Sequence, residues 1–264
     1  MTVNLHTHTA RCGHATGTDR EYVEEAIAKG LTTLGFADHA PLVFPDGSES
    51  FFRVPMAEAE EYMSSLRALK EEYKDRIRIL IGFELEYYPR YFKDMKQTAL
   101  DLGVDFLLLS QHYVSNEESR YMARPTDSDG DLTLYADTVI EAMETGIFSY
   151  VAHPDLIRYT GENAALYDSE MRRICQAANR WGLPLEINLL GIRDRRSYPN
   201  RRFWEIAAEE ACTVVIGSDA HSPDVVADGE SEKIALAWIK ELGLTYEPCP
   251  FVRSPKTGEL TKTR

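Results

Sequence analysis

The chain has 264 residues, 44% of them hydrophobic, and a formal charge of -14 from 29 basic and 43 acidic side chains. That length and apolar share can bury a large core, as one α/β barrel or two smaller domains. The acidity excludes extended binding to DNA, RNA or an anionic membrane surface, which needs many phosphates neutralised by Lys and Arg.

Short β-like runs alternate with helical patterns along the chain. The first run, VNLHTH from Val3, ends in His6 and His8 on one strand face, with Cys12 and His14 just beyond. A helix is predicted from the spacing of Tyr22, Val23, Ala26 and Ile27, introduced by Thr18 and Glu21 in capping-box register and closed by Gly30. TLGFADH from Thr33 ends at Asp38 and His39, IRILIGFELE from Ile77 at Glu84 and Glu86, and VDFLLLSQH from Val104 at His112. FSYVAH from Phe148 ends at His153, with Asp155 beyond it. A second clear helix follows from Met171, Ile174, Cys175, Ala178 and Trp181, closed by Gly182, and leads into LPLEIN from Leu183. The last run, TVVIGSDAH from Thr213, ends at Asp219 and His221.

Strand-then-helix units in one direction imply parallel strands joined by crossover helices. Nearly every strand delivers a polar group at its carboxyl end, which suits the top face of a closed barrel better than the switch point of an open sheet. A barrel forming a single domain over residues 1–264 is therefore expected. Glu84 shares a strand face with Leu80 and Gly82, His39 with Gly35 and Ala37, and Asp219 and His221 with Val215 and Gly217. That face is expected inside, where small residues leave room, with Ile77, Ile79, Ile81 and Phe83 outside against helices. The connections from Ala40 to about Pro55 and from Tyr113 to about Asp131 exceed the βα norm of a few residues, and are expected to wall the pocket. No run approaches the roughly 20 apolar residues of a membrane span. The opening MTVNLHTHTARCGH holds no stretch of signal-peptide length, so a cytoplasmic location is expected.

All seven histidines lie at or just beyond the ends of apolar runs, and none falls inside a helical pattern. Imidazoles clustered with carboxylates are the usual way to hold divalent transition metals, so one metal site assembled from distant segments is expected. H-x-H alone is a weak signal, and the other strand-end histidines make it strong. Glu84 and Asp219 supply carboxylates on the small-residue face; Glu86 rivals Glu84, and Asp38 or Asp155 rivals Asp219. Cys12, Cys175, Cys212 and Cys249 form no C-x-x-C pair and read as packing residues, with Cys12 an outside candidate near the metals because it precedes His14 by two residues.

HTHTARCGH from His6, GFADHAPL from Gly35, GFELEYYP from Gly82, SQHYV from Ser110, VAHPDLIRY from Val151, LEINLLGIR from Leu185 and GSDAH from Gly217 occur in this order. Together they resemble the polymerase and histidinol phosphatase (PHP) superfamily over the whole chain, and most closely its monofunctional histidinol-phosphatase branch. The resemblance implies a distorted (β/α)7 barrel with three divalent metal ions, Zn, Mn or Fe, at the carboxyl ends of the strands. By the same resemblance one ion takes His6, His8, Glu84 and Asp219, a second Glu84, His112 and His153, and a third His14, His39 and His221.

The implied activity is metal-dependent hydrolysis of L-histidinol phosphate to L-histidinol and phosphate, a step of histidine biosynthesis. Two cations sharing a water lower its pKa from about 15.7 towards about 7, so a bridging hydroxide is the expected nucleophile. Glu84 and Asp219 are the expected catalytic carboxylates, and the acid for the leaving alcohol stays open between a coordinated water and Asp219. The resemblance points to Arg158 and Arg193 as phosphate ligands, Arg193 being the first of a group with Arg195, Arg196, Arg201 and Arg202. Tyr113 is a further candidate donor, and Asp38 a candidate to orient a neighbouring ligand. Two other readings stay open: a phosphoesterase for another small ester or nucleotide, and a non-catalytic metal-binding protein. The expected partner is a small phosphate ester, with no nucleic acid and no membrane; the sequence is silent on oligomeric state.

Overall fold

The computed structural model describes residues 1–263. Parallel strands β1 (Val3–Asn4), β2 (Thr33–His39), β3 (Arg78–Glu86) and β4 (Phe106–Ser110) lie side by side in that order. β5 (Leu185–Asn188) and β6 (Thr213–Gly217) form a second parallel pair, to which β7 (Thr245–Tyr246) adds at the start of β6. Single-residue bridges join the two groups: Val151 pairs with Leu109 on one side and Leu185 on the other, and Thr7 pairs with Ala220. The backbone bonds His8 N to Ala220 O at 2.9 Å and Ala220 N to His6 O at 3.2 Å complete the circuit. The result is a distorted (β/α)7 barrel whose fifth member, the run at Phe148, contributes only the Val151 bridge instead of a full strand.

The helices are α1 (Asp19–Ala28), α2 (Ala59–Glu72), α3 (Phe92–Leu102), α4 (Asp129–Glu144), α5 (Ala164–Trp181), the short α6 (Leu189–Arg193), α7 (Arg201–Glu209) and α8 (Gly229–Leu242). The capping box at α1 forms as expected: the Thr18 side chain accepts from Glu21 N, and Thr18 N donates to Glu21 Oε2 at 2.6 Å. Gly182 closes α5 at φ 64°, a left-handed conformation that glycine adopts without steric cost. No described helix is long and apolar enough to cross a membrane.

β3 shows how alternation builds two cores. Ile79, Ile81, Phe83 and Leu85 face outward and pack with Tyr62 and Leu66 of α2 and Met95 of α3, in the large cluster between sheet and helices. The intervening Leu80 faces inward and joins Val3, Leu5, Ala37, Phe106, Leu108, Tyr150, Val215, Cys249 and Val252 in a plug inside the barrel. The glycines on the inward face make room for side chains of the protein itself. A Cβ on Gly82 would lie 2.4 Å from Phe106 O, and one on Gly217 would lie 1.8 Å from Glu186 Oε1. The small residues thus admit Phe106 and Glu186 to the interior, where the sequence reading expected them to leave room at the site.

The chain ends in an antiparallel hairpin, β8 (Phe251–Arg253) with β9 (Leu260–Lys262). It lies across the amino-terminal end of the barrel, where Arg253 N donates to Ser149 Oγ at 2.9 Å and Arg78 Nη1 to Lys262 O at 2.6 Å. Polar side chains therefore gather at the opposite end.

Candidate metal centre

The carboxyl ends of the strands bring all seven histidines around Glu84, which is 1% exposed at the inner face of β3. His153 Nε2 lies 2.9 Å from Glu84 Oε1, His39 Nδ1 3.0 Å from Glu84 Oε2, and His6 Nε2 3.5 Å from Oε1. His8 Nε2 is 3.6 Å from Glu84 Oε2 and 3.2 Å from Asp219 Oδ1, and His112 Nε2 is 4.0 Å from Glu84 Oε1. His14 and His221 complete the group, their Nε2 atoms 3.0 Å apart. His153 and Asp219 hold left-handed backbone conformations, φ 29° and 46°, which cost non-glycine residues about 1–3 kcal/mol each and occur where function fixes a side chain.

The surrounding acceptors decide which ring nitrogen faces the centre. Nδ1 of His6 is 2.8 Å from Glu186 Oε1, that of His8 is 3.3 Å from Asp38 Oδ1, and that of His112 is 2.9 Å from Glu86 Oε1. Nδ1 of His14 is 2.8 Å from Cys12 O, and that of His221 is 3.1 Å from Asp219 O. Each of these partners accepts only, so each Nδ1 carries a proton and Nε2 is the nitrogen turned to the centre, where a cation can take the place of any proton it holds. For His14 and His221 that brings two ring nitrogens to 3.0 Å, a separation at which they share either a proton or a cation.

The charge balance asks for the same thing. Asp38, Glu84, Glu86, Glu186 and Asp219 are all buried here, against Arg53, the one buried arginine among the described residues. Buried carboxylates need paired charge or bound cations. Burial opposes the charge on Glu84, but His39, His112 and His6 outweigh it and hold its carboxyl well below the usual range. Asp219 is likewise held low, against its burial, chiefly by His6 and His8. Burial and the neighbouring His8 push His221 down to about 3, leaving a neutral imidazole suited to ligation.

His6 Nε2, His8 Nε2, His39 Nδ1, Glu84 Oε2, His153 Nδ1 and Asp219 Oδ1 are buried without a hydrogen-bond partner. His39 Nδ1 and Glu84 Oε2 lie 3.0 Å apart and neither has a hydrogen-bond partner, a need that a cation held by both would meet. His14, His39 and His221 offer ligand atoms within 4.8 Å of one another, as do His6, His8 and Asp219, and His6, Glu84 and His153. The residues present therefore fit divalent metal ions bound by nitrogen and oxygen.

The rival carboxylates take other places. Glu86 pairs with Arg53 and accepts from His112; Asp38 accepts from His8 and from Thr9 N at 2.9 Å. Asp155 accepts from Trp204 Nε1 at 3.0 Å and Asn200 N at 2.5 Å, and burial pushes its carboxyl up to about 7. Glu186 had no role in the sequence reading. It holds His6, accepts from His153 N at 3.1 Å and from Asn188 Nδ2 at 3.0 Å, and its only signal was an acid inside the apolar run LPLEIN. Cys12 is buried, with Sγ 3.9 Å from His14 Nε2.

Above the centre opens a cavity of about 480 Å³, lined by five of the histidines, Glu84 and Asp219, and walled by Phe51, Phe52, Tyr113, Tyr121, Tyr198 and Leu190. Both long connections contribute to it. Tyr113 and Arg196 line the cavity, whereas Arg158 and Arg193 do not: Arg158 is exposed, and Arg193 Nη1 lies 3.2 Å from Asp228 Oδ2.

A family model for the PHP domain matches residues 4–189. The chain is 30% identical over 228 residues to a probable histidinol-phosphatase of Deinococcus radiodurans, covering 84% of this chain and 86% of that one. It is 33% identical over 250 residues to the histidinol-phosphatase of Bacillus subtilis, covering 82% of this chain and 92% of that one. The crystal structure of histidinol phosphate phosphatase from Lactococcus lactis subsp. lactis, complexed with zinc, L-histidinol and phosphate, superposes with a TM-score of 0.74 at 21% identity, covering 99% of each chain. The fold is thus shared, and on the family match and these relatives the chain belongs to the PHP domain family.

Proposed function

We propose that the protein is a metal-dependent phosphomonoesterase that hydrolyses L-histidinol phosphate to L-histidinol and phosphate. The observation that carries this reading is the convergence of imidazole nitrogens and buried carboxylates at the floor of a cavity of small-molecule size, about 480 Å³. His6, His8, Glu84 and Asp219 would hold one ion, Glu84, His112 and His153 a second, and His14, His39 and His221 a third, so that Glu84 serves two ions. Ions bound there polarise phosphoryl oxygens and lower the pKa of water towards about 7.

The protein's own groups bind and orient. Glu186, Asp38 and Glu86 fix the ring orientation of His6, His8 and His112. Arg196 and Tyr113 line the cavity, beside Tyr121 and Tyr198, and are donors that can meet the phosphate. Arg193 would reach it only by leaving Asp228, and Arg158 only by turning from solvent. The aromatic wall of Phe51, Phe52, Tyr113 and Tyr121 suits a flat ring such as imidazole, and Asp194 in the same lining offers a carboxylate to the substrate's ammonium group.

The test is phosphate release from a panel of histidinol phosphate, nucleoside monophosphates and a generic aryl phosphate, with metal content measured on the same sample. The fastest release is expected from histidinol phosphate. A rate no higher than that of the generic ester would overturn the substrate assignment, and faster turnover of a nucleotide would replace it.

A further inference from the structure

Arg53 is buried, with a side chain 1% exposed, yet it lies in the long connection after β2 and does not line the cavity. A guanidinium so placed must satisfy its donors internally. Its Nη1 donates to Ala40 O at 2.8 Å, at the start of its own loop. Its Nη2 donates to Glu86 Oε2 at 2.5 Å, and Nε and Nη2 both donate to Glu117 Oε1, at 3.0 and 2.6 Å, in the second long connection. Tyr88 OH donates to the same Glu117 oxygen at 2.9 Å. The other oxygen of Glu86 holds Nδ1 of His112 at 2.9 Å.

One side chain therefore links three things: the loop after β2, the loop after β4, and the carboxylate that orients His112. The cavity side of the same two loops is joined by Phe52 and Tyr113, stacked at 6.0 Å and 21°, while Phe52 also meets the His39 ring edge-on at 5.2 Å. We propose that Arg53 is a positioning residue that, through Glu86, aims His112 Nε2 at the metal centre and, through Glu117, holds the two loops together as the cavity wall. This rests on the reading of His112 as a metal ligand.

The two arms of the guanidinium separate by experiment. Arg53→Met leaves Glu86 and Glu117 without their cation, so metal affinity is expected to fall about 10–100-fold, the usual scale for losing a ligand's supporting partner. Arg53→Lys keeps a charge beside Glu86 without the fork, and is expected to recover most of the metal affinity. Glu117→Gln leaves the Arg53–Glu86 arm intact, so metal content should stay at the wild-type level while KM for histidinol phosphate rises severalfold at little cost in kcat. Metal per chain is counted after dialysis against graded chelator, beside His112→Ala, with far-ultraviolet circular dichroism as a check of folding.

If His112→Ala sheds metal while folded Arg53→Met retains it like wild type, the positioning role is wrong and the site reading survives. If His112→Ala itself retains all metal, both fail. Should Arg53→Met not fold, Arg53→Gln, which keeps hydrogen-bond donors but no charge, carries the metal arm with the same expected loss, and Glu117→Gln carries the loop arm. A Glu117→Gln variant with unchanged KM removes the loop-tying half of the proposal.

Discussion

The two ends of the barrel interior are both deeply buried and reach opposite solutions. At the amino-terminal end Val3, Leu5, Phe106, Tyr150, Val215, Cys249 and Val252 pack into an apolar plug beneath the β8–β9 hairpin. At the carboxyl end the inward side chains include His6, His8, Glu84 and Asp219, buried just as deeply but each with a nitrogen or oxygen atom left without a hydrogen-bond partner. Burial at one end contributes stability, and at the other it costs stability that only bound cations offset. Substitutions at the two ends should therefore separate activity from stability.

The largest effect is expected at the polar end. Glu84→Gln or Asp219→Asn should lower kcat/KM by roughly 10³-fold, about 4 kcal/mol, with loss of bound metal and no comparable loss of folded protein. Steady-state kinetics and metal counting on the same preparation check this. At the apolar end Phe106→Ala should cost about 3–5 kcal/mol of stability, a Tm lower by roughly 10 °C, with kcat little changed below the transition. An equal loss of activity in both variants would erase the distinction between the ends.

Glu186 lies between the two regions and sharpens the comparison. Glu186→Gln keeps its volume beside Gly217 but weakens its hold on His6, so about a 10–100-fold loss in metal affinity is expected with only a small change in Tm. Away from both ends, Thr18→Ala removes the cap of α1 and should cost about 1 kcal/mol in chemical denaturation with no change in kcat or metal content.

The elements that sequence made legible are those whose local pattern and tertiary role agree. The alternation along IRILIGFELE placed Ile79, Ile81 and Phe83 outside and Leu80 inside, and the strand-end histidines did converge. The run at Phe148 has the same composition as the others, but its pairing reduces to the Val151 bridge, a matter of neighbours that composition does not encode. Glu186 was missed because its role depends on His6, 180 positions away in the chain. Arg53 sits in a loop, where no periodicity marks a residue as buried. For Arg196 as against Arg158 and Arg193, the facing is set by how the chain turns after β5 and the Val151 bridge, and a resemblance of motifs does not specify it.

Hydrolysis is expected to depend on cations held at the polar end. The most direct measurement is phosphate release from histidinol phosphate by metal-stripped protein during titration with a divalent ion, bound metal being counted at each step. No release is expected without metal, and activity should saturate as the bound content reaches three ions per chain. Full turnover by the stripped protein in the presence of chelator would contradict it.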